Sequence, residues 1–399
     1  MGAGQWLLAG LLFLLFGFLV FWNLGGYHPW GDEGETGVYA RNILRCGFPK
    51  AFDGRNVFEY RGGVQANPEY LNVHSPWLQY YVGALGLACC GDDAWGLRVP
   101  FALFALAAHL LFFGYCLKVF PDSRTALTAL ALFSLNTQLI LFCRQARYYP
   151  LVLFLSVFFL RCIPSDDGRI RHHGLLWLSL ILLFFAHPLA GFCLAASVML
   201  YQGFRRGLPF LREVWKPALM ALLPIFLFLA WQKAEGAPPS PFIMTNLAPP
   251  KALWVFLVFI KDLHWSGVIP LGLVAGFFGL WATSRSPDDR PLFHIGFQAF
   301  ATGAGFLLLL AWLSIQPSEF LSADLRYALP AFPLFLVFQA AFFAILSRRF
   351  PRTAVFFLGV ALFTGFFSGK LAPSPLFSFL AENLHPFPNS TRVAVEYLQ

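Results

Sequence analysis

Long apolar stretches separated by short polar loops run through most of the chain. A helix that crosses a membrane needs about 20 mainly apolar residues. Runs that meet this need, some of them narrowly, lie near 5–23, 97–120, 125–143, 148–163, 174–187, 189–203, 216–232, 267–283, 293–314, 328–346 and 353–369. The pattern predicts an all-α polytopic membrane protein with about eleven transmembrane helices. The apolar stretch 75–90 has polar breaks and is predicted to lie along the membrane surface.

Composition supports this assignment. Hydrophobic residues make up 58% of the 399 positions and charged residues 12%, whereas a typical soluble domain carries about 25% charged residues. The chain therefore lacks the polar groups needed to coat a soluble surface of its size. This excludes a cytosolic enzyme, a disordered protein and a nucleic-acid-binding module.

The basic residues predict the orientation. Half of the 28 Lys and Arg residues lie in five short loops that share one side if the N-terminus is cytoplasmic. Basic residues gather in short cytoplasmic loops, so we expect a multi-pass protein of the inner (plasma) membrane. Residues 1–370 then form a transmembrane domain whose long first loop, 24–96, lies on the periplasmic side. The tail 371–399 would lie on that side too, as the candidate start of a further soluble domain.

The first loop carries an acidic motif just beyond the first predicted span. Asp32 and Glu33 stand at the head of a short predicted helix that Gly47 closes. One interpretation is a helix cap, with Asp32 at the N-cap and Glu35 three residues on. The other is a carboxylate at the membrane boundary that accepts a proton from an acceptor hydroxyl or amine. The motif alone leaves both open.

Two basic motifs are predicted on the same side. Arg144 and Arg147, followed by Tyr148, are spaced to share a helical face and can grip a phosphate with bidentate geometry. Arg326 and Tyr327 open the tenth predicted span. Anchoring at the membrane interface is the alternative for both motifs.

Two histidines complete the set. His74 ends the acidic loop and His187 lies between two predicted spans. Either histidine can be a hydrogen-bonded interfacial residue or a ligand. The topology brings these two residues, the acidic motif and both basic motifs to one membrane face, although they are far apart in sequence. An acid, several cations and tyrosines at a lipid boundary suit transfer of a group from an anionic lipid carrier.

The order of these motifs resembles the GT-C superfamily of glycosyltransferases that use polyprenyl-phosphate sugars. It is most similar to the protein O-mannosyltransferase branch and its bacterial relatives, including the aminoarabinose transferases that modify lipid A. The similar segments are Asp32-Glu33, Tyr39-Ala40…Gly47, Ser75-Pro76-x-x-x-Tyr80, Arg98-x-Pro100, Arg144-x-x-Arg147-Tyr148 and Arg326-Tyr327-x-Leu-Pro330. They are short, and together they cover residues 1 to about 345.

The resemblance implies a GT-C-type fold with a large outside cavity beneath the first loop. It also implies a periplasmic-face transferase that moves a sugar from a polyprenyl-phosphate carrier to a protein, lipid or glycan acceptor. The expected reaction is a single inverting displacement with Asp32 as base and Glu33 beside it. The residues implied at the donor's lipid phosphate are Arg144, Arg147, Tyr148, Arg326, Tyr327 and His74.

The chain departs from the family pattern at one point. His74 stands where aminoarabinose transferases carry a lysine before their proline pair. This departure argues against lipid A modification. It leaves a metal role open for His74. Glu33, which points about 100° away from Asp32 if the helix begins there, is the other candidate ligand of a divalent metal.

Two other functions fit the same residues. A transporter or flippase of lipid-linked glycans would use the cations and need no base. A non-catalytic membrane scaffold would tolerate neutral replacements of the acids and arginines. The expected partners of a transferase are the polyprenyl-phosphate-linked sugar, an unidentified acceptor and the surrounding lipids.

Overall fold

A computed structural model describes residues 1–58, 66–163, 170, 172–237, 248–284, 286–313, 321–362, 379–380 and 383–384. These residues form fifteen α-helices. They are α1 (Ala3–Phe21), α2 (Gly31–Cys46), α3 (Leu78–Cys90), α4 (Ala94–Val119), α5 (Ser123–Leu135), α6 (Thr137–Cys143), α7 (Tyr148–Cys162), α8 (His173–Ala186), α9 (Pro188–Arg206), α10 (Leu208–Ala234), α11 (Pro249–Trp265), α12 (Leu271–Thr283), α13 (Arg290–Leu313), α14 (Phe332–Arg349) and α15 (Pro351–Leu362). Short 3-10 segments, Pro287–Asp289 and Leu325–Ala331, precede α13 and α14.

The predicted fold class is confirmed. Each of the eleven predicted apolar stretches contains a helix in its described part, with α5 and α6 sharing one stretch across a bend of 61°. By length and composition, five described helical segments could each cross a membrane, or six if the bent pair is one span. The remaining stretches hold shorter or more polar helices, because the sequence criterion accepted runs below the usual spanning length.

The centre of the bundle is α14. Apart from its last turn, nearly all of its side chains are buried, and it packs mainly against α13 and α5. Close packing against α13 depends on Gly303, where an added Cβ would lie 2.7 Å from the Phe335 ring. The two basic residues that end the helix, Arg348 and Arg349, both contact Asp289.

The first loop contains both predicted short helices, α2 and α3. Gly47 ends α2 with a φ of 82°, a left-handed conformation that glycine adopts without steric cost. The surface helix predicted over 75–90 is α3, which lies directly against α4. A Cβ at Gly86 would come within 2.3 Å of the Gly96 carbonyl oxygen, so Gly86, one of the polar breaks in this stretch, allows close packing.

Helix α11 was not predicted from the sequence. It fastens the segment that leads into the 3-10 turn before α14, since Asp262 Oδ2 accepts a hydrogen bond from the Ala323 N–H at 2.5 Å and Lys261 Nζ donates to the Leu321 carbonyl. This turn begins at Leu325 and carries Arg326.

The predicted division at residue 370 falls outside the described residues. Of the tail, only 379–380 and 383–384 are described. Phe379 packs against Trp22 with 6.0 Å between ring centroids, and Asn383 contacts Arg144. These residues place this part of the tail beside the end of α1.

Candidate active site

The head of α2 presents Asp32 next to, but not at, the helix cap. The N-cap residue is Trp30, and the Glu33 carboxylate accepts a hydrogen bond from its backbone N–H at 3.4 Å. The capping interpretation, with Asp32 at the N-cap and Glu35 three residues on, is therefore wrong. Asp32 lies in the first turn, where its side chain is free to reach other parts of the chain.

Two arginines from distant segments meet Asp32. Arg326 Nη1 lies 2.6 Å from Asp32 Oδ2, and Arg147 Nη2 lies 3.7 Å from the same oxygen. The Asp32 side chain is 17% exposed and that of Arg326 is 25% exposed, so the group is accessible but largely desolvated. The structure thus brings these three predicted residues into contact.

Arg326 has two further partners, Tyr149 and Asp324, of which the sequence pattern did not single out Asp324. Its Nη1 donates to the Tyr149 hydroxyl at 3.2 Å, and its Nε lies 2.6 Å from Asp324 Oδ2. Burial raises the pKa of Asp324, although Arg326 opposes this shift. Arg326 thus lies between two carboxylates, with its second amino group, Nη2, on the remaining edge.

Arg147 also forms an ion pair with Glu35. Its Nη1 lies 2.9 Å from Glu35 Oε2, and the other oxygen of Glu35 accepts from the Tyr80 hydroxyl at 3.3 Å. Burial and the nearby Glu35 carboxylate raise the pKa of Tyr80, so the phenol stays protonated and donates. The available sequence signal for Glu35 was its spacing, three residues after Asp32 on the same face of α2.

Glu33 faces the other way, into a fully buried ion pair. Its two oxygens accept from Arg98 Nε at 2.8 Å and Arg98 Nη2 at 2.7 Å, and both side chains are 0% exposed. Glu33 Oε1 also accepts from the Ala146 N–H at 2.7 Å. The structure contradicts the predictions of Glu33 as a catalytic group or metal ligand, because both of its carboxylate oxygens already accept hydrogen bonds from Arg98 and one also accepts from Ala146. Glu33 instead ties the loop that carries Arg147 to the helix that carries Asp32.

Arg144 donates its hydrogen bonds away from Asp32, to the end of α1 and to the tail. Its Nη1 donates to the carbonyls of Leu19, Val20 and Trp22 at 2.9, 3.0 and 2.7 Å, and its Nη2 donates to Asn383 Oδ1 at 2.9 Å. The last carbonyls of a helix have no partner within the helix, and a cation there is stabilising. Arg144 is 1% exposed and closes the end of α1.

Replacing Arg144 with alanine is expected to lower stability without changing donor affinity. Loss of these charge-assisted hydrogen bonds should reduce the free energy of unfolding by about 1.5–3 kcal/mol. The measurement is unfolding in detergent beside donor binding by the folded fraction. Arg124→Ala, at an exposed position on α5, is the control. Weaker donor binding at unchanged stability would instead support Arg144 as a ligand of the donor phosphate.

The predicted tyrosines form an aromatic wall beside the arginines. The ring of His187 lies 4.4 Å from that of Tyr148 and 5.5 Å from that of Tyr327. The Arg326 guanidinium lies 5.3 Å from the centroid of the Tyr327 ring. Tyr148 and Tyr327 are therefore next to the charged group, and their contact with a lipid phosphate stays a prediction.

His74 is half-buried in the segment before α3. Its backbone N–H donates to Asn72 Oδ1 at 3.1 Å. Among the residues that the structure describes, no group of three or more His, Cys, Asp and Glu side chains is placed to hold a metal ion. The structure thus adds no support for the metal interpretation of His74.

Comparisons with known proteins find similar solved structures but no relative by sequence. No family model matches the sequence, and a search of curated proteins finds no match. Among solved structures, ArnT from Cupriavidus metallidurans in the apo state is similar, with a TM-score of 0.62 and 17% identity over 98% of this chain and 67% of that protein. The same protein bound to undecaprenyl phosphate gives a TM-score of 0.61 and 16% identity, over 96% of this chain and 69% of that protein.

The chain has the GT-C fold. The archaeal oligosaccharyltransferase AglB from Archaeoglobus fulgidus, in complex with an inhibitory peptide and a dolichol-phosphate, has the same overall architecture. Its TM-score is 0.51 at 12% identity, over 100% of this chain and 60% of AglB. The resemblance drawn from the motifs is thus confirmed at the level of the fold. In this fold, Asp32, Arg147 and Arg326 come together from the first loop, the α6–α7 connection and the turn before α14.

Proposed function

We propose that this GT-C chain is a membrane glycosyltransferase that takes its sugar from a polyprenyl-phosphate carrier. One observation carries the proposal: a partly exposed carboxylate, Asp32, contacts guanidinium groups from two segments more than 100 residues away in the sequence. Such an arrangement suits a carboxylate base that works beside two phosphate-binding arginines. The GT-C fold, found in ArnT bound to undecaprenyl phosphate, supports the same class of donor.

The proposed reaction is a single displacement at the anomeric carbon. The acceptor oxygen or nitrogen bonds to that carbon while the bond to the phosphate oxygen breaks, which inverts the configuration. The acceptor's proton passes to Asp32, and the polyprenyl phosphate leaves as an anion beside Arg147 and Arg326. The phosphate needs charge stabilisation rather than a proton, which arginines provide well. Arg326 uses Nη1 and Nε to hold Asp32 and Asp324, so its Nη2 edge would face the phosphate.

We infer that the reaction takes place at the periplasmic face of the inner membrane. The basic loops at the opposite end of the bundle, including those around Arg205 and Arg348, support this orientation. The acceptor is a protein, a lipid or a glycan that carries a hydroxyl or amine.

The deciding experiment is transfer of a labelled sugar from defined polyprenyl-phosphate sugars by the purified chain. Arg147→Gln and Arg326→Gln are each expected to weaken donor binding by about 10- to 100-fold, because each removes a charge-assisted contact to phosphate. Arg212→Gln, at an exposed basic position on α10, is the control. Movement of the intact lipid-linked sugar across vesicles with no transfer would favour the flippase instead.

A further inference from the structure

Five helices line a small pocket on the side of the bundle where α4, α7 and α9 end. Its volume is about 30 Å³, and its polar lining consists of Tyr115, Gln202, Gln298 and Thr302. Tyr115 and Gln202 each lie four residues before the ends of α4 and α9, whereas α9 begins beside the candidate active site at His187. The pocket is partly open and is distinct from that site.

Gln202 lines this pocket with a buried carbonyl oxygen that needs a hydrogen-bond donor. Its side chain is 2% exposed, and its Oε1 has no hydrogen-bond partner among the described residues. A buried carbonyl oxygen without a donor costs about 1–3 kcal/mol. The pocket has room for a group the size of a hydroxyl or a water. A ligand that supplies a hydrogen-bond donor at this point would remove the cost.

Two cationic residues lie next to residues of the pocket lining. Arg205, one turn beyond Gln202 on α9, donates to Gln298 Oε1 at 3.1 Å and lies 3.0 Å from His294 Nε2. On the other side, the exposed Lys118 of α4 donates to the Arg161 carbonyl at 3.4 Å. Orientation in the membrane explains basic residues in these loops, but it does not explain a buried amide oxygen that lacks a donor.

We propose that this pocket binds the headgroup of an anionic phospholipid that carries a hydroxyl. The phosphate would lie against Arg205, and the hydroxyl would donate to Gln202 Oε1. Basic pockets between transmembrane helices bind anionic headgroups in this way. The glycerol headgroup of phosphatidylglycerol has both features. Phosphatidylcholine has no headgroup donor, and its trimethylammonium would add a positive charge beside Arg205. The site is independent of the proposed transfer reaction.

The test is lipid-dependent thermal stability of the full chain in detergent. Phosphatidylglycerol is expected to raise the unfolding midpoint, and phosphatidylcholine and inorganic phosphate are expected to have little effect. Gln202→Leu and Arg205→Gln should each weaken the apparent affinity for phosphatidylglycerol by about fivefold. The lipid-induced shift is compared within each variant, so a change in basal stability does not affect the result.

Arg212→Gln, an exposed basic position on α10 at the same end of the bundle, is the matched control and should bind like the unmodified chain. Equal loss in Arg205→Gln and Arg212→Gln would mean a general charge effect and overturn the site. Unchanged binding in Gln202→Leu and Arg205→Gln would do the same. An equal shift with inorganic phosphate would overturn the lipid as ligand.

Discussion

Asp32→Asn is expected to reduce glycosyl transfer by at least about 100-fold, because proton removal by a positioned base contributes about 10²–10⁴-fold. Asparagine has nearly the same shape and can still accept a hydrogen bond from Arg326, which lies 2.6 Å from Asp32 Oδ2. The protein should therefore stay folded and bind donor at least as well as before. The measurements are product formation in nanodiscs and a parallel donor-binding assay.

Asp324→Asn is the matched control. Asp324 contacts the same arginine from the other side at 2.6 Å but is not assigned as the base, so its variant should lose less than about tenfold in rate. If Asp32→Asn turns over like the unmodified chain, Asp32 serves only as an ion-pair partner and the proposed mechanism fails.

Glu33→Leu is expected to be among the most destabilising single changes in this chain. It leaves the Arg98 guanidinium, which is 0% exposed, without its carboxylate. Removing one partner of a buried pair costs about 3–5 kcal/mol, whereas replacing both with apolar residues can be nearly neutral. The double variant Glu33→Leu/Arg98→Met should therefore recover much of the loss. Chemical unfolding in detergent measures both.

The exposed pair Arg41–Asp92 provides the comparison. Its side chains are 47% and 66% exposed, and an exposed ion pair contributes at most about 1 kcal/mol. Arg41→Gln should accordingly have little effect. A similarly small effect of Glu33→Leu would mean that Glu33 does not hold the Arg147 loop against α2.

Sequence patterns predicted the class of fold and the central group of the site. Hydrophobic runs predicted the helices, and the orientation that the basic loops implied placed Asp32, Arg147 and Arg326 at one end of the bundle. Glu35 was considered only as part of a helix cap and Asp324 was not singled out, because pairing between side chains depends on helix packing that no local pattern contains. Helix α11 was missed since its charged residues, such as Lys261 and Asp262, interrupt the apolar run.

The prediction that Arg144 and Arg147 share a helical face is wrong for a specific physical reason. In the structure the helix breaks between them, with Arg144 as the C-cap of α6 and Arg147 as the N-cap of α7 in an extended conformation. The two side chains therefore diverge, one to the end of α1 and the other to α2.

This divergence determines how genetic data on the motif should be interpreted. A screen that selects for activity alone would classify Arg144 and Arg147 together as intolerant, since variants at Arg144 would lose stability and variants at Arg147 would lose the proposed reaction. Cellular protein abundance separates the two classes: variants at Arg144 would be depleted from the membrane, while variants at Arg147 would accumulate as inactive protein. Only the second class would compete with the unmodified chain for a shared acceptor or partner.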